Sequence, residues 1–195
     1  MPQRSFIKNP FVFAAIICVV CSFALSLCAQ VLRPLQERQV QIDTHRNILK
    51  AVGLQGETGT TLSADEVEKM FEEKLHFVAI DKDGNVDESA DPKKVISGEA
   101  EGLYPIYLLQ ENGETQAFVL PLKGTGLWGP LSGYLALESD ANTIRGVTFF
   151  PHKETPGLGA EIAKETFQKQ FEGKHIRNEQ GELVSIQVVK GKAAE

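Results

Sequence analysis

Cysteine is absent from everything beyond residue 28: the three cysteines of this 195-residue chain, Cys18, Cys21 and Cys28, all fall within one apolar stretch near the amino terminus. The rest of the chain therefore has no disulfide framework, no thiolate metal site and no cysteine nucleophile. Basic charge is also scarce. Outside the first 32 residues, 18 Lys and Arg face 26 Asp and Glu, a balance of about −8 that argues against nucleic acid or an anionic membrane surface as partner. No Gly-x-Ser-x-Gly, Walker loop, internal repeat or low-complexity tract is present. His45, His76, His152 and His175 show no metal-ligand spacing. His152-x-Glu154 has no Pro-Cys-x-x-Cys partner of the kind a zinc deaminase requires, and each histidine reads as a surface or packing residue.

Charge is missing altogether from residues 11–29, FVFAAIICVVCSFALSLCA. Nineteen residues at 1.5 Å rise give about 28 Å of helix, close to the thickness of a bilayer's hydrocarbon core. The run is apolar on every side, longer than the h-region of a signal peptide, and followed by no clean small-x-small cleavage site. An uncleaved membrane anchor is expected. The sequence divides into a tail (1–10), a transmembrane helix (11–32) and one soluble domain (33–195). Arg4 and Lys8 on one side and Arg33, Arg38 and Arg46 on the other nearly balance, so charge leaves the orientation open.

Beyond the anchor, Leu35, Ile42 and Leu49 recur every seven residues beside Ile48 and Val52, which predicts a helix leaving the bilayer, with Pro34 as a kink point and Gly53 as its stop. A polar loop over 55–61 leads to Ser63-Ala-Asp-Glu66, a capping box ahead of Val67, Met70, Phe71 and Leu75 at helical spacing. Strand signals follow at 76–81, 106–110, 115–122, 133–138, 144–150 and 184–189. Asn112-Gly113 marks a hairpin, and Asp140 and Asn142 mark another turn. Helical spacing returns over 157–171 through Leu158, Ile162, Phe167 and Phe171, and Gly173 ends it; residues 178–181 form a turn. The fold class expected is α+β, an antiparallel sheet with flanking helices.

Two segments carry candidate chemistry. Residues 123–133, KGTGLWGPLSG, contain a formal G-x-G-x-x-G at Gly124, Gly126 and Gly129, but Pro130 follows and the next element is a strand, so a dinucleotide fingerprint is excluded. What remains is a glycine-rich sheet corner with Trp128 at its tip, either simply packed or stacked on a planar ligand. Residues 149–161, FFPHKETPGLGAE, read as a strand-to-helix loop. It is either a plain connection or a site where backbone N–H groups at a helix N-terminus meet a phosphate or a carbonyl edge, with polar contacts from His152 and Glu154.

Residues 43–54 (DTHRNILKAVGL), 123–137 (KGTGLWGPLSGYLAL) and 154–159 (ETPGLG) behind an N-terminal anchor resemble the C subunit of the bacterial sodium-translocating NADH:quinone oxidoreductase, over essentially the whole chain. ETPGLG also occurs in the G subunit of the related ferredoxin-linked electron transport complex. The NILKAVGL and GLWG segments favour the C subunit. The resemblance implies an electron-transfer subunit in the inner membrane, with its domain in the periplasm and other membrane subunits as partners. It also implies one FMN, attached through its phosphate to a threonine of an S-G-A-T-x-T-S motif. Gly124, Gly126, Leu127 and Trp128 would lie along the flavin with Glu154, Thr155, Pro156, Gly157, Leu158 and Gly159. These 195 residues contain no S-G-A-T-x-T-S, since Ser97-Gly98-Glu99-Ala100 lacks the threonine. A chain truncated at its carboxyl terminus is therefore expected, with no covalent acceptor to name and little activity alone. A flavin-free structural or assembly subunit of the same complex stays open as an alternative, as does the G subunit of the related one.

Overall fold

The computed structural model describes residues 10–54, 62–87 and 89–184. It separates into two compact units, residues 1–41 and 42–195. Helix α1 (Pro10–Ala51) begins in the first as the apolar run read from the sequence, and its residues from Ile42 on belong to the second. It is the one helix among the described residues long and apolar enough to cross a membrane, and Phe11, Val19, Phe23 and Leu25 along it are exposed. Pro34 sits inside this continuous helix and does not divide it. The anchor and the heptad-spaced segment are therefore a single element. The flanking Arg4 and Lys8, and the 55–61 loop, lie outside the described residues.

The second unit is built on a six-stranded antiparallel sheet, ordered β2-β1-β3-β4-β5-β6. Its strands are β1 (Leu75–Ile80), β2 (Val86–Asp87), β3 (Tyr104–Glu111), β4 (Glu114–Thr125), β5 (Pro130–Glu138) and β6 (Ile144–Phe149). Alternation puts Leu75, Tyr107, Leu109, Ala117, Val119 and Ala136 on one face, where they meet Ile42, Ile48, Leu49 and Val52 of the α1 end and Val67 of α2 (Ala64–Lys74). Each of the fully buried Ile48, Leu49 and Val52 contributes about 2 kcal/mol of apolar burial, which makes this helix end the main lid of the core.

Local chemistry sets the helix ends as anticipated. Ser63 caps α2, its side chain accepting from the Glu66 N–H while the Glu66 carboxylate accepts from the Ser63 N–H at 2.8 Å. Gly53, at φ 80°, closes α1: Leu54 N–H reaches the Leu49 carbonyl at 2.9 Å and Gly53 N–H reaches that of Lys50 at 3.1 Å, a Schellman motif. The α1 end is then pinned to the sheet by specific bonds. Thr148 Oγ1 donates to the Asn47 carbonyl at 3.2 Å, and Arg145 Nε donates to the Val52 carbonyl at 2.9 Å. Gly146 lies directly beneath the Ala51 carbonyl, where a Cβ would collide with backbone.

Two elements were not foreseen, the short β2 and α3 (Pro92–Ser97), which Asp91 caps through its bond from the Lys93 N–H. One expectation is overturned. Residues 157–171 do not form one helix. A five-residue 3-10 segment (Gly159–Ala163), then α4 (Glu165–Gln168) and a 3-10 turn (Lys169–Phe171) follow one another, broken at Lys164, which is extended at ψ 142°. Phe149, Phe167 and Phe171 cluster with ring centroids 5.5–6.3 Å apart, and this packing onto the sheet overrides the helical spacing. After the turn at Asn178, Val184 bonds back to the Ile176 carbonyl; residues 185–189 of the expected last strand lie outside the described residues.

Candidate functional site

Strands β4 and β5 run further than their apolar alternation marks, to the pair Thr125↔Pro130. The glycine-rich segment is therefore the tip of a long hairpin. Four residues close it, with Gly126 N–H donating to the Gly129 carbonyl at 2.8 Å. Gly129, at φ 153°, adopts backbone that an L side chain rarely takes. The tip leaves no core position for Leu127 and Trp128, which are 83% and 65% exposed.

The second loop is carried to the same place by β6. Past Phe149 the chain keeps its pairing with β5, Phe150 N–H donating to the Ser132 carbonyl at 2.8 Å and Ser132 N–H to that of Pro151 at 3.1 Å. These two bonds extend the register beyond the strand and set residues 152–154 beside the hairpin tip. A turn follows in which the Thr155 carbonyl accepts from the Leu158 and Ala160 N–H groups, and Gly157 takes φ 76°. Leu158 projects outward, 72% exposed.

Glu154 joins the loops. Its Oε1 accepts the Trp128 N–H at 3.3 Å, a contact across 26 residues of sequence. A Cβ on Gly126 would collide with Oε1, and one on Gly159 with Oε2, so the carboxyl group occupies the room that two side chains would need. The stem of Lys153 lies against Gly129, its Cδ 3.2 Å from where a Cβ would stand.

Of the residues singled out in the sequence, Gly126, Leu127, Trp128, Glu154 and Gly159 are thus brought together, with Thr155, Pro156, Gly157 and Leu158 forming the turn beside them. Gly124 is set apart: it lies within β4, paired with Leu131 and facing open space. The anticipated helix N-terminus is corrected. Only the short 3-10 segment follows the loop, and the Leu158 and Ala160 N–H groups are taken by Thr155, so no aligned run of free donors exists there for an anion. His152 is half-buried, with its Nδ1 unpartnered, and among the described residues no cluster of three acidic, histidine or cysteine side chains could hold a metal.

Sequence reading missed Lys153 and the Ser132, Phe150 and Pro151 backbone bonds that align the loop; Phe-Phe-Pro after a strand was the available signal. It also missed a cavity of about 490 Å³ beside the outer half of the hairpin, whose lining includes Tyr104, Tyr107, Pro121, Lys123, Tyr134 and Phe150. Burial pushes the Tyr107 and Tyr134 hydroxyls upward in pKa, so both stay neutral donors at physiological pH.

The geometry fits a planar aromatic group with a polar edge. Exposed Leu127, Trp128 and Leu158 offer apolar contact, Gly157 has open space for close backbone approach, and Glu154 sits between the loops.

Residues 126–193 match the model of the FMN-binding domain, a span that begins at the hairpin tip and takes in both loops. Over 99% of its length the chain is 32% identical to the C subunit of the Na(+)-translocating NADH-quinone reductase of Haemophilus ducreyi, covering 81% of that protein. It is 31% identical to the protein of the same name from Pseudomonas aeruginosa, over 98% of this chain and 80% of that one. The crystal structure of the same-named protein from Parabacteroides distasonis superposes with a TM-score of 0.68 at 34% identity, covering 84% of this chain and 79% of the other.

Proposed function

Because the chain belongs to the C-subunit family of the Na(+)-translocating NADH-quinone reductase, we propose that it is an electron-carrying subunit of such a complex, with FMN lying along the 126–129 hairpin tip and the 154–159 turn. The observation that carries this reading is the convergence on Glu154 of two loops far apart in sequence, both inside the FMN-binding match and both rimmed by exposed apolar side chains.

In this arrangement Trp128 and Leu127 meet one part of the ring system and Leu158 another, while Gly157, with open space beside it, lets the backbone approach its polar edge. FMN, when bound, supplies the electron-carrying chemistry; the protein positions it and limits its contact with water. These contacts are noncovalent. The threonine phosphoester that the family resemblance implies has no counterpart motif in these 195 residues. The apolar part of α1 anchors the chain in the inner membrane, which keeps the domain beside the other membrane subunits, and the domain faces the periplasm.

Trp128 is the single tryptophan, so its emission tests the site directly. FMN titrated into the full chain in detergent is expected to quench that emission saturably, and Trp128→Leu to weaken retention of the flavin about three- to tenfold. Absence of saturable quenching together with absence of retained flavin overturns the site. Orientation has its own test, because the domain contains no cysteine. With the three anchor cysteines changed to serine, Ser97→Cys on the domain surface should react with a membrane-impermeant maleimide in intact cells; protection until the cells are lysed places the domain in the cytoplasm instead.

A further inference from the structure

We infer that Glu154 is the positioning residue of this site, a clasp that holds the hairpin tip against the 154–159 turn. Gly126 and Gly159 are small because the carboxyl group lies where their side chains would stand. Three contacts support it. Oε1 accepts from the Trp128 backbone and fills the space beside Gly126, Oε2 fills the space beside Gly159, and the Glu154 Cβ lies 2.9 Å from where a Gly159 Cβ would be. Among the described residues Glu154 has no cationic partner. Neither Lys153 beside it nor Lys164 beyond the turn is ion-paired to it; Lys164 bonds Glu161 instead. Its carboxylate is directed at backbone from another loop, which is the work of a brace.

The physical need for a brace is plain from the hairpin itself. Leu127 and Trp128 are exposed, and apart from the Lys153 stem against Gly129 little apolar contact fixes the tip. Such tips ordinarily move on the nanosecond scale. One acceptor placed between the loops removes that freedom before any ligand arrives, which lowers the ordering cost of binding. The consequence for flavin rests on the reading given above, whereas the clasp itself is a property of the chain alone. An uncharged acceptor of the same shape should preserve the brace.

The test uses the flavin-free full chain in detergent micelles, with time-resolved anisotropy of Trp128 as readout. Glu154→Ala and Gly126→Ala should each raise the amplitude of the fast local motion of Trp128 about twofold, the first by removing the brace and the second by displacing it. The double variant should be no worse than either single one, because both act on one contact. Glu154→Gln should stay near wild type, since its amide oxygen still accepts. With FMN added, Glu154→Ala should raise the dissociation constant about tenfold and Glu154→Gln much less.

Unchanged Trp128 motion in both Glu154→Ala and Gly126→Ala overturns the clasp, as does equal loosening by Glu154→Gln and Glu154→Ala. If Glu154→Ala fails to fold, Gly126→Ala carries the same comparison. If the motions respond as stated while even the wild-type chain binds no FMN, the flavin reading fails and the clasp stands.

Discussion

Replacing Gly146 by alanine tests how α1 is seated on the sheet. The added Cβ would meet the Ala51 carbonyl oxygen, with the Ala51 carbonyl carbon 3.3 Å and its Cα 3.7 Å away. These are backbone atoms in the last turn of a helix, and they cannot swing aside as a long side chain would. The turn is also held from both sides, by Thr148 bonding the Asn47 carbonyl and Arg145 bonding the Val52 carbonyl. Relief requires the whole helix end to lift, which strips contact from Ile48, Leu49 and Val52 in the core. Overpacking of this kind costs about 2–3 kcal/mol. For a chain of this size that corresponds to a fall in melting temperature of roughly 4–12 °C. Gly124→Ala is the matched control, because Gly124 has open space around it and no positive φ; its effect should stay within about 0.5 kcal/mol. Thermal unfolding of both variants in detergent, followed by circular dichroism, decides the matter. A Gly146→Ala protein as stable as the Gly124→Ala control would refute the close seating of the helix on β6.

Other consequences follow from single residues. Burial lowers the pKa of His45 from 6.5 against the opposing pull of Glu68 and Glu72, and the ring stacks on Phe71 with centroids 3.7 Å apart. The unfolded chain then binds more protons than the folded one just below pH 6.5, so stability should decline as pH falls through that range, and His45→Phe should remove this slope from melting curves. Ser63→Ala removes the acceptor for the Glu66 N–H and should cost about 1 kcal/mol, read as faster amide exchange in the first turn of α2. Ile48→Ala, at a fully buried position of the α1 end, should cost about 3 kcal/mol by denaturant titration, and Ile48→Val about 1. Equal effects of the two would mean that the cavity collapses.

What the sequence determined alone is what short-range chemistry determines. The uncharged run over 11–29, the stop at Gly53, the capping box of Ser63 and Glu66 and the Asn112-Gly113 turn each depend on residues within a few positions of one another, and each stands in the structure as read. The antiparallel alternation was legible for the same reason. The tertiary structure decided the rest because its causes lie far apart in the chain. The helical spacing over 157–171 gave way to the packing of Phe167 and Phe171 on Phe149, and β4 lengthened to Thr125 because β5 was there to pair with it. Both loops of the site were visible as motifs, each with an ordinary explanation. Only folding set the Glu154 carboxylate against the Trp128 amide, since strand register, and not local preference, brings residues 26 positions apart within a hydrogen bond.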